Sequence, residues 1–279
     1  MTTRLIENIA YSDAGGQDIL LDLLLPDPMP QSPAPLIVEI HGGGWMSGCR
    51  NGAGNAFLAE RGYITASIDY RLTDEAVHPA QIDDCRDAIR WLRAHSAEYA
   101  IDPNRIGVWG SSAGGHLAAL LGTSAASKPD GKEWCVQAVV DLCGPTEIVD
   151  GDAVLITQVE YVETLSNVTG TFSLTPRYVE INLYETFLGG PIATHADAAR
   201  DASPLHFVGP NMPSFLILHC EDDDMAPVRH TIEFDAALKA AGADVTTVIY
   251  PTGGHGFEGH WGGEIERAMV DFFDRTLGN

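Results

Sequence analysis

Lysine is almost missing from this chain: 279 residues contain only Lys128, Lys132 and Lys239. Acidic side chains number 39 against 16 basic ones, for a formal charge of −23. A field of that sign disfavours nucleic acid and anionic membranes as partners. The acidity itself reads as a solubility device, with adaptation to salt as the alternative. No run of about 18 apolar residues occurs, so no membrane span is read. The N-terminus, Met1-Thr2-Thr3-Arg4-Leu5-Ile6-Glu7, lacks the apolar core of a signal peptide, and the expected location is the cytoplasm. Cysteines are few: Cys49, Cys85, Cys135, Cys143 and Cys220, without C-x-x-C spacing. This pattern predicts free, mostly buried thiols, no structural metal and no cofactor. There is no internal repeat and no low-complexity tract.

Apolar residues are plentiful, at 45%, enough for one large core. Strand-like runs (19–25, 36–40, 63–68, 106–109, 136–142, 215–218, 245–250) alternate with helical patterns (55–61, one opened by Pro79 with Ile82, Cys85, Ile89 and Leu92 at helical spacing, 113–121, 228–241, 264–277). Asp102-Pro103-Asn104 reads as a turn, and Gly242 as the glycine that ends a helix. Such alternation predicts an α/β fold: a mostly parallel central sheet flanked by helices, with ligands bound beyond the carboxyl ends of the strands. Residues 1–279 read as a single domain. Residues 145–204 break the rhythm and are expected to be a cap-like insertion shaping the substrate site, with Tyr161, Phe172, Tyr178, Tyr184 and Phe187 as its aromatics.

The most informative stretch is Gly110-Ser111-Ser112-Ala113-Gly114, set between an apolar strand and a small-residue helix. In that context a G-x-S-x-G sequence predicts a nucleophile elbow, which projects Ser112 at the N-terminus of a helix. His41-Gly42-Gly43-Gly44-Trp45 follows a buried strand. Its bare backbone suits an oxyanion hole, with donors from Gly43, Gly44 or Trp45 and from Ala113. Loss of one such donor typically costs about 3–4 kcal/mol of transition-state stabilisation. His41 reads as a group that orients this loop, not as a base.

A serine nucleophile needs a histidine base and a carboxylate to orient it, here expected in the order Ser, acid, His. The turn after residue 218 offers Asp222, Asp223 and Asp224 for the acid; a divalent-metal role for this cluster is the competing reading. The glycine-flanked His255 is the candidate base, with His260 its rival. His116, one turn beyond Ser112, reads as a brace for the elbow.

These motifs resemble the α/β-hydrolases, and more narrowly the esterases around bifunctional feruloyl esterase/acetyl xylan esterase and the hormone-sensitive-lipase-like carboxylesterases. Asp69-Tyr70-Arg71-Leu72, His78-Pro79-Ala80-Gln81, Asp102 through His116, Leu188-Gly189-Gly190-Pro191 and Ala202-Ser203-Pro204 carry the resemblance together with the loop at 41–45. It spans most of 18–146 and 186–275 and is weak in 147–185. The resemblance implies an acid four residues after the histidine of an H-G-x-x-D turn, with a proline four beyond. His219, Asp223 and Pro227 match, and Asp223 is chosen on that spacing; Cys220 departs from the glycine. His255-Gly256-Phe257 matches the base loop. The implied activity is metal-independent hydrolysis of small carboxylic esters (acetylated sugar, feruloyl or aryl esters) through an acyl-enzyme. The alternatives are an arylformamidase of the kynurenine formamidase type, another amide or peptide hydrolase on the same scaffold, and a non-catalytic binding protein. A homodimer is the expected assembly if the chain associates.

Overall fold

The computed structural model describes residues 2–149, 155–165 and 172–278. Its elements run β1 (Thr2–Ser12), β2 (Ile19–Asp27), β3 (Ala34–Ile40), α1 (Ala56–Ala59), β4 (Ile64–Ile68), α2 (Ala80–Ala94), β5 (Ile101–Ser111), α3 (Ala113–Ser124) and β6 (Ala138–Leu142). There follow β7 (Leu155–Leu165), β8 (Phe172–Asn182), α4 (Leu183–Leu188), α5 (Ala196–Asp201), β9 (Ser214–Cys220), α6 (Val228–Ala240), β10 (Val245–Tyr250) and α7 (Glu264–Leu277).

Eight strands form one sheet in the order β1-β2-β4-β3-β5-β6-β9-β10. The β1–β2 and β2–β4 pairs are antiparallel, and every pair from β4 to β10 is parallel. Alternation along the strands divides the core in two, because successive side chains point to opposite faces. Leu36, Val38, Val139, Phe215 and Ile217 pack with α2, α3 and α6. Ile37, Val140, Leu216 and Leu218 pack with Leu58 of α1 and with Ile265, Met269 and Phe273 of α7. The helical stripe Ile82, Cys85, Ile89 and Leu92 is buried as its spacing predicts.

Three local readings change. β1 escapes sequence reading because it is an edge strand, largely exposed, with no apolar run. The turn at Asp102-Pro103-Asn104 lies inside β5. Ile101 pairs with Ala34 and Ile106 with Leu36, so the intervening residues bulge out, and Asp102 Oδ1 accepts the Asn104 N–H at 2.9 Å. The helix expected over 55–61 is a 3-10 turn at Gly52–Asn55 followed by the four-residue α1.

Between β6 and β9, strands β7 and β8 form a separate antiparallel hairpin, and α4 and α5 follow it. Tyr184 and Phe187 are buried and Tyr178 is exposed; the side chains of Tyr161 and Phe172 lie outside the described residues. No helix among the described residues is long and apolar enough to cross a membrane.

Candidate active site

Ser112 sits between β5 and α3 with φ 57° and ψ −123°, a backbone conformation that L-residues seldom adopt. Its N–H donates to Leu142 O at 2.8 Å, which ties the turn to β6. The flanking glycines are required by backbone contact. A Cβ on Gly114 would lie 2.0 Å from Ile40 O, and one on Gly110 would lie 2.3 Å from the carbonyl carbon of Gly114. Strand, helix and the neighbouring strand end therefore meet where no side chain fits.

His255 and Asp223 arrive from the ends of β10 and β9. His255 Nε2 is 2.9 Å from Ser112 Oγ, and its Nδ1 is 2.8 Å from Asp223 Oδ2. With Nδ1 protonated toward the carboxylate, Nε2 accepts the serine hydroxyl hydrogen. The loop carrying His255 needs left-handed backbone at Gly253 and Gly254, and Asp222 accepts both of their N–H groups, at 3.3 and 2.8 Å. Asp222 is thus a brace for the histidine loop, while Asp224 lies exposed. The rival histidine, His260, is held elsewhere, by Glu264 and by Thr252 O, each at 2.9 Å.

The Asp223 carboxylate is fully buried. Its Oδ1 accepts the N–H groups of Met225 and Ala226 at 2.8 and 2.9 Å, and Oδ2 faces His219 Nε2 at 3.1 Å as well as His255. Burial alone would raise its pKa. Hydrogen bonds from His219, His255 and Ala226 outweigh that and hold it well below the usual carboxylate range. Asp223 therefore stays ionised beside the imidazole. His219 is oriented by Thr231 Oγ1 at 2.7 Å from its Nδ1.

The glycine loop runs through three left-handed residues, Gly43, Gly44 and Trp45. Their amides donate to no backbone or side-chain acceptor among the described residues, whereas Met46 and Ser47 N–H both close on Gly43 O at 3.1 Å. Gly42 lies against the elbow, since a Cβ there would be 2.7 Å from Ser111 O. His41 stacks on Tyr70 with centroids 4.2 Å apart, and its Nδ1 donates to Gly42 O at 2.8 Å. The indole of Trp45 turns inward, donating to His116 Nδ1 at 3.2 Å, and His116 Nε2 donates to Ala202 O at 2.6 Å. Burial pushes His116 down to about 3, so it is the neutral acceptor this chain requires. His116 thereby joins the glycine loop, α3 and the segment before β9.

Sequence reasoning missed Cys143. Its thiol lies 3.8 Å from Ser111 Oγ and 3.6 Å from His255 O, and ligand-type atoms of Cys143, Asp223 and His255 lie within 4.8 Å of one another. Burial, then the nearby Asp223 charge, push the thiol pKa far up. It is a protonated packing group, and only its place after β6 hinted at its proximity.

Two hollows open at Ser112. One, about 30 Å³, also touches Gly44, Ala113 and Pro145; the other, about 550 Å³, also touches Gly43, Ile156 and Gln158. A hollow of similar size, about 570 Å³, around Arg105 and Asp274 touches none of these residues, so size alone does not mark the site.

Residues 21–238 match the BD-FAE family. The chain belongs to the BD-FAE family. It is 33% identical over 260 residues to Esterase LipC of Mycobacterium tuberculosis (strain ATCC 25618 / H37Rv), covering 90% of this chain and 59% of LipC. Esterase LipQ of the same organism is 32% identical over 256 residues, covering 88% of this chain and 55% of LipQ. This BD-FAE chain thus spans less than two thirds of the length of either relative. A solved structure titled as a truncated form of a carbohydrate esterase from gut microbiota superposes with TM-score 0.78 at 26% identity, covering 99% of this chain and 97% of that one. Esterase Est2 of Thermogutta terrifontis gives TM-score 0.74 at 24% identity, over 98% and 92% of the two chains. The fold is the α/β-hydrolase fold.

Proposed function

We propose that this chain is a serine carboxylesterase that hydrolyses small carboxylic esters through an acyl-enzyme. The observation that carries the reading is the continuous hydrogen-bonded path Ser112 Oγ, His255 Nε2, His255 Nδ1, Asp223 Oδ2. As Ser112 Oγ bonds to the ester carbon, its proton passes to His255 Nε2, and Asp223 stabilises the imidazolium without taking the proton. The carbonyl oxygen becomes an oxyanion facing the amides of Gly43, Gly44 and Ala113. Collapse breaks the bond to the alcohol oxygen, which leaves with the His255 proton. Water, deprotonated by His255, then attacks the acyl carbon, and the acid departs while Ser112 regains its proton. The names of LipC, LipQ and the carbohydrate esterase support ester chemistry over the formamidase reading. In this reading residues 145–204 shape the substrate site through Leu183, Tyr184, Ile156 and Gln158.

Ser112→Ala should lower turnover of p-nitrophenyl acetate by a factor on the order of 10⁶, the loss seen when another serine hydrolase loses its nucleophile. A phosphonate ester should label the wild-type chain stoichiometrically at Ser112. Near-wild-type turnover by the variant would reject the assignment.

A further inference from the structure

A separate hollow flanks the glycine loop and shares no lining residue with the two that open at Ser112. It forms where β3 and β4 end and β2 begins. His41 and Cys49 line it from the segment after β3, Asp69 and Glu75 from the segment after β4, and Asp18 from the residue before β2. The reaction described above uses none of these side chains on substrate.

His41 is only 9% exposed. One face of its ring is covered by Tyr70, and its Nδ1–H is spent on Gly42 O. Burial lowers its pKa, so near neutral pH the ring is uncharged and Nε2 carries a lone pair. Nε2 has no hydrogen-bond partner among the described residues, and it is not one of the buried atoms sealed off without a partner. The hollow is what reaches it. An acceptor held in this way, nine-tenths buried, takes its donor from whatever fills the hollow.

The same walls carry uncompensated negative charge. Both guanidiniums beside the hollow are committed: Arg50 pairs with Asp22 at 2.9 Å and with Asp69, and Arg71 pairs with Asp84 at 2.7 Å. Asp18 and Glu75 form no ion pair among the described residues, and Glu75 accepts only neutral N–H groups, from Gln17 and from Leu72. A cation is therefore the favoured occupant. A bare metal ion does not match. Among the described residues, three ligating atoms gather within 4.8 Å only at Cys143, Asp223 and His255, so the acceptors here stand too far apart to close on one small ion. Acceptors spread around a hollow that also has apolar walls, at Leu20 and Leu72, suit donors carried on a carbon skeleton.

We propose that this hollow binds an organic ammonium ion of a few carbons. An N–H group donates to His41 Nε2, the positive charge lies against Glu75 and Asp18, and the methylenes lie along Leu20 and Leu72. Because His41 also holds Gly42 O at 2.8 Å, the occupant fixes the ring that anchors the start of the glycine loop.

Cys49 is an exposed thiol in the lining, whereas the half-buried Cys135 lies outside it and Cys85, Cys143 and Cys220 are buried. Occupancy can therefore be read as a footprint that needs no catalysis and stands apart from the esterase reading. The test is the rate at which uncharged iodoacetamide alkylates Cys49 and Cys135 in the intact chain, followed by peptide mass mapping, with and without 1,4-diaminobutane at pH 7.5 and fixed ionic strength. With a Kd near 1 mM, about 20 mM diamine leaves a small free fraction, so Cys49 should react about tenfold or more slowly while Cys135 is unchanged. Tetramethylammonium at the same charge concentration has no N–H and should leave Cys49 unprotected. The double variant Asp18→Asn, Glu75→Gln, at two exposed positions, should lose most of the protection. His41→Phe, which keeps a ring against Tyr70, should lose it too. An unchanged Cys49 rate, equal slowing of both cysteines, or full protection in the folded double variant overturns the proposal. Equal protection by tetramethylammonium means screening alone and also overturns it.

Discussion

Asp141 lies fully buried under the elbow, opposite Gly110 in the β5–β6 register. Its Oδ1 accepts the Gly144 N–H at 2.8 Å, and Oδ2 has no hydrogen-bond partner among the described residues. Burial pushes its pKa up to about 7, against the opposing pull of Gly144 and His219. An unfolded aspartate titrates near 4. Between those values the folded chain keeps a proton that the unfolded chain releases. The stabilisation is therefore complete below about pH 4 and is lost as pH rises through about 7, an effect on the order of 4 kcal/mol at most. Glu39, also raised to about 7 by burial, acts with the same sign. Asp141→Asn retains the acceptor for Gly144 and cannot ionise. Its melting temperature should fall less than the wild type's between pH 5 and pH 8; parallel curves would show that Asp141 does not titrate in this window.

The elbow stands or falls as a strand-turn-helix unit. At Gly114 the obstacle to a side chain is the Ile40 carbonyl, 2.0 Å from the Cβ position, and the backbone of β3 has no room to retreat. At Gly242, beyond α6, nothing lies within 4 Å and only the positive φ of 78° opposes substitution. Gly242→Ala should cost about 1–2 kcal/mol, the penalty of left-handed backbone for an L-residue. Gly114→Ala should cost more than that, by overpacking against backbone, and should abolish ester turnover. Urea unfolding of the two variants measures the difference, and equal losses would mean that the crossing is less tight than described.

The whole molecule carries a charge of −23, and self-repulsion of that size opposes the compact state. Raising NaCl from about 20 mM to about 500 mM shortens the screening length below the spacing of most surface charges. The melting temperature at pH 7.5 should rise by at least about 2–4 °C, the shift that about 1 kcal/mol produces in a domain of this size. Unchanged or lower melting would assign the acidity no role in stability.

The helical and strand periods were legible because burial on one face of an element leaves a regular pattern in the residues: β10 and α7 match their readings end to end. Edge strand β1 left no such pattern, and the bulge at 102–105 looked like a chain reversal because both use the same local turn chemistry. Chemistry-bearing motifs were legible too, because an elbow needs glycines at fixed offsets and a bare-backbone loop needs several in a row. Choosing among Asp222, Asp223 and Asp224 was different. The turn by itself offers three equivalent carboxylates; the spacing from His219 to Pro227 singled out Asp223, and the arrival of His219, His255 and the Ala226 amide at that one is what physically separates it from a loop brace and a solvated charge. By itself the sequence determined the layers, the elbow and the glycine loop, since these are local demands on backbone and pattern. Tertiary structure alone decided that Cys143 lies beside Asp223 and His255 and that Asp222 braces the histidine loop, because each depends on distances between segments far apart in the chain.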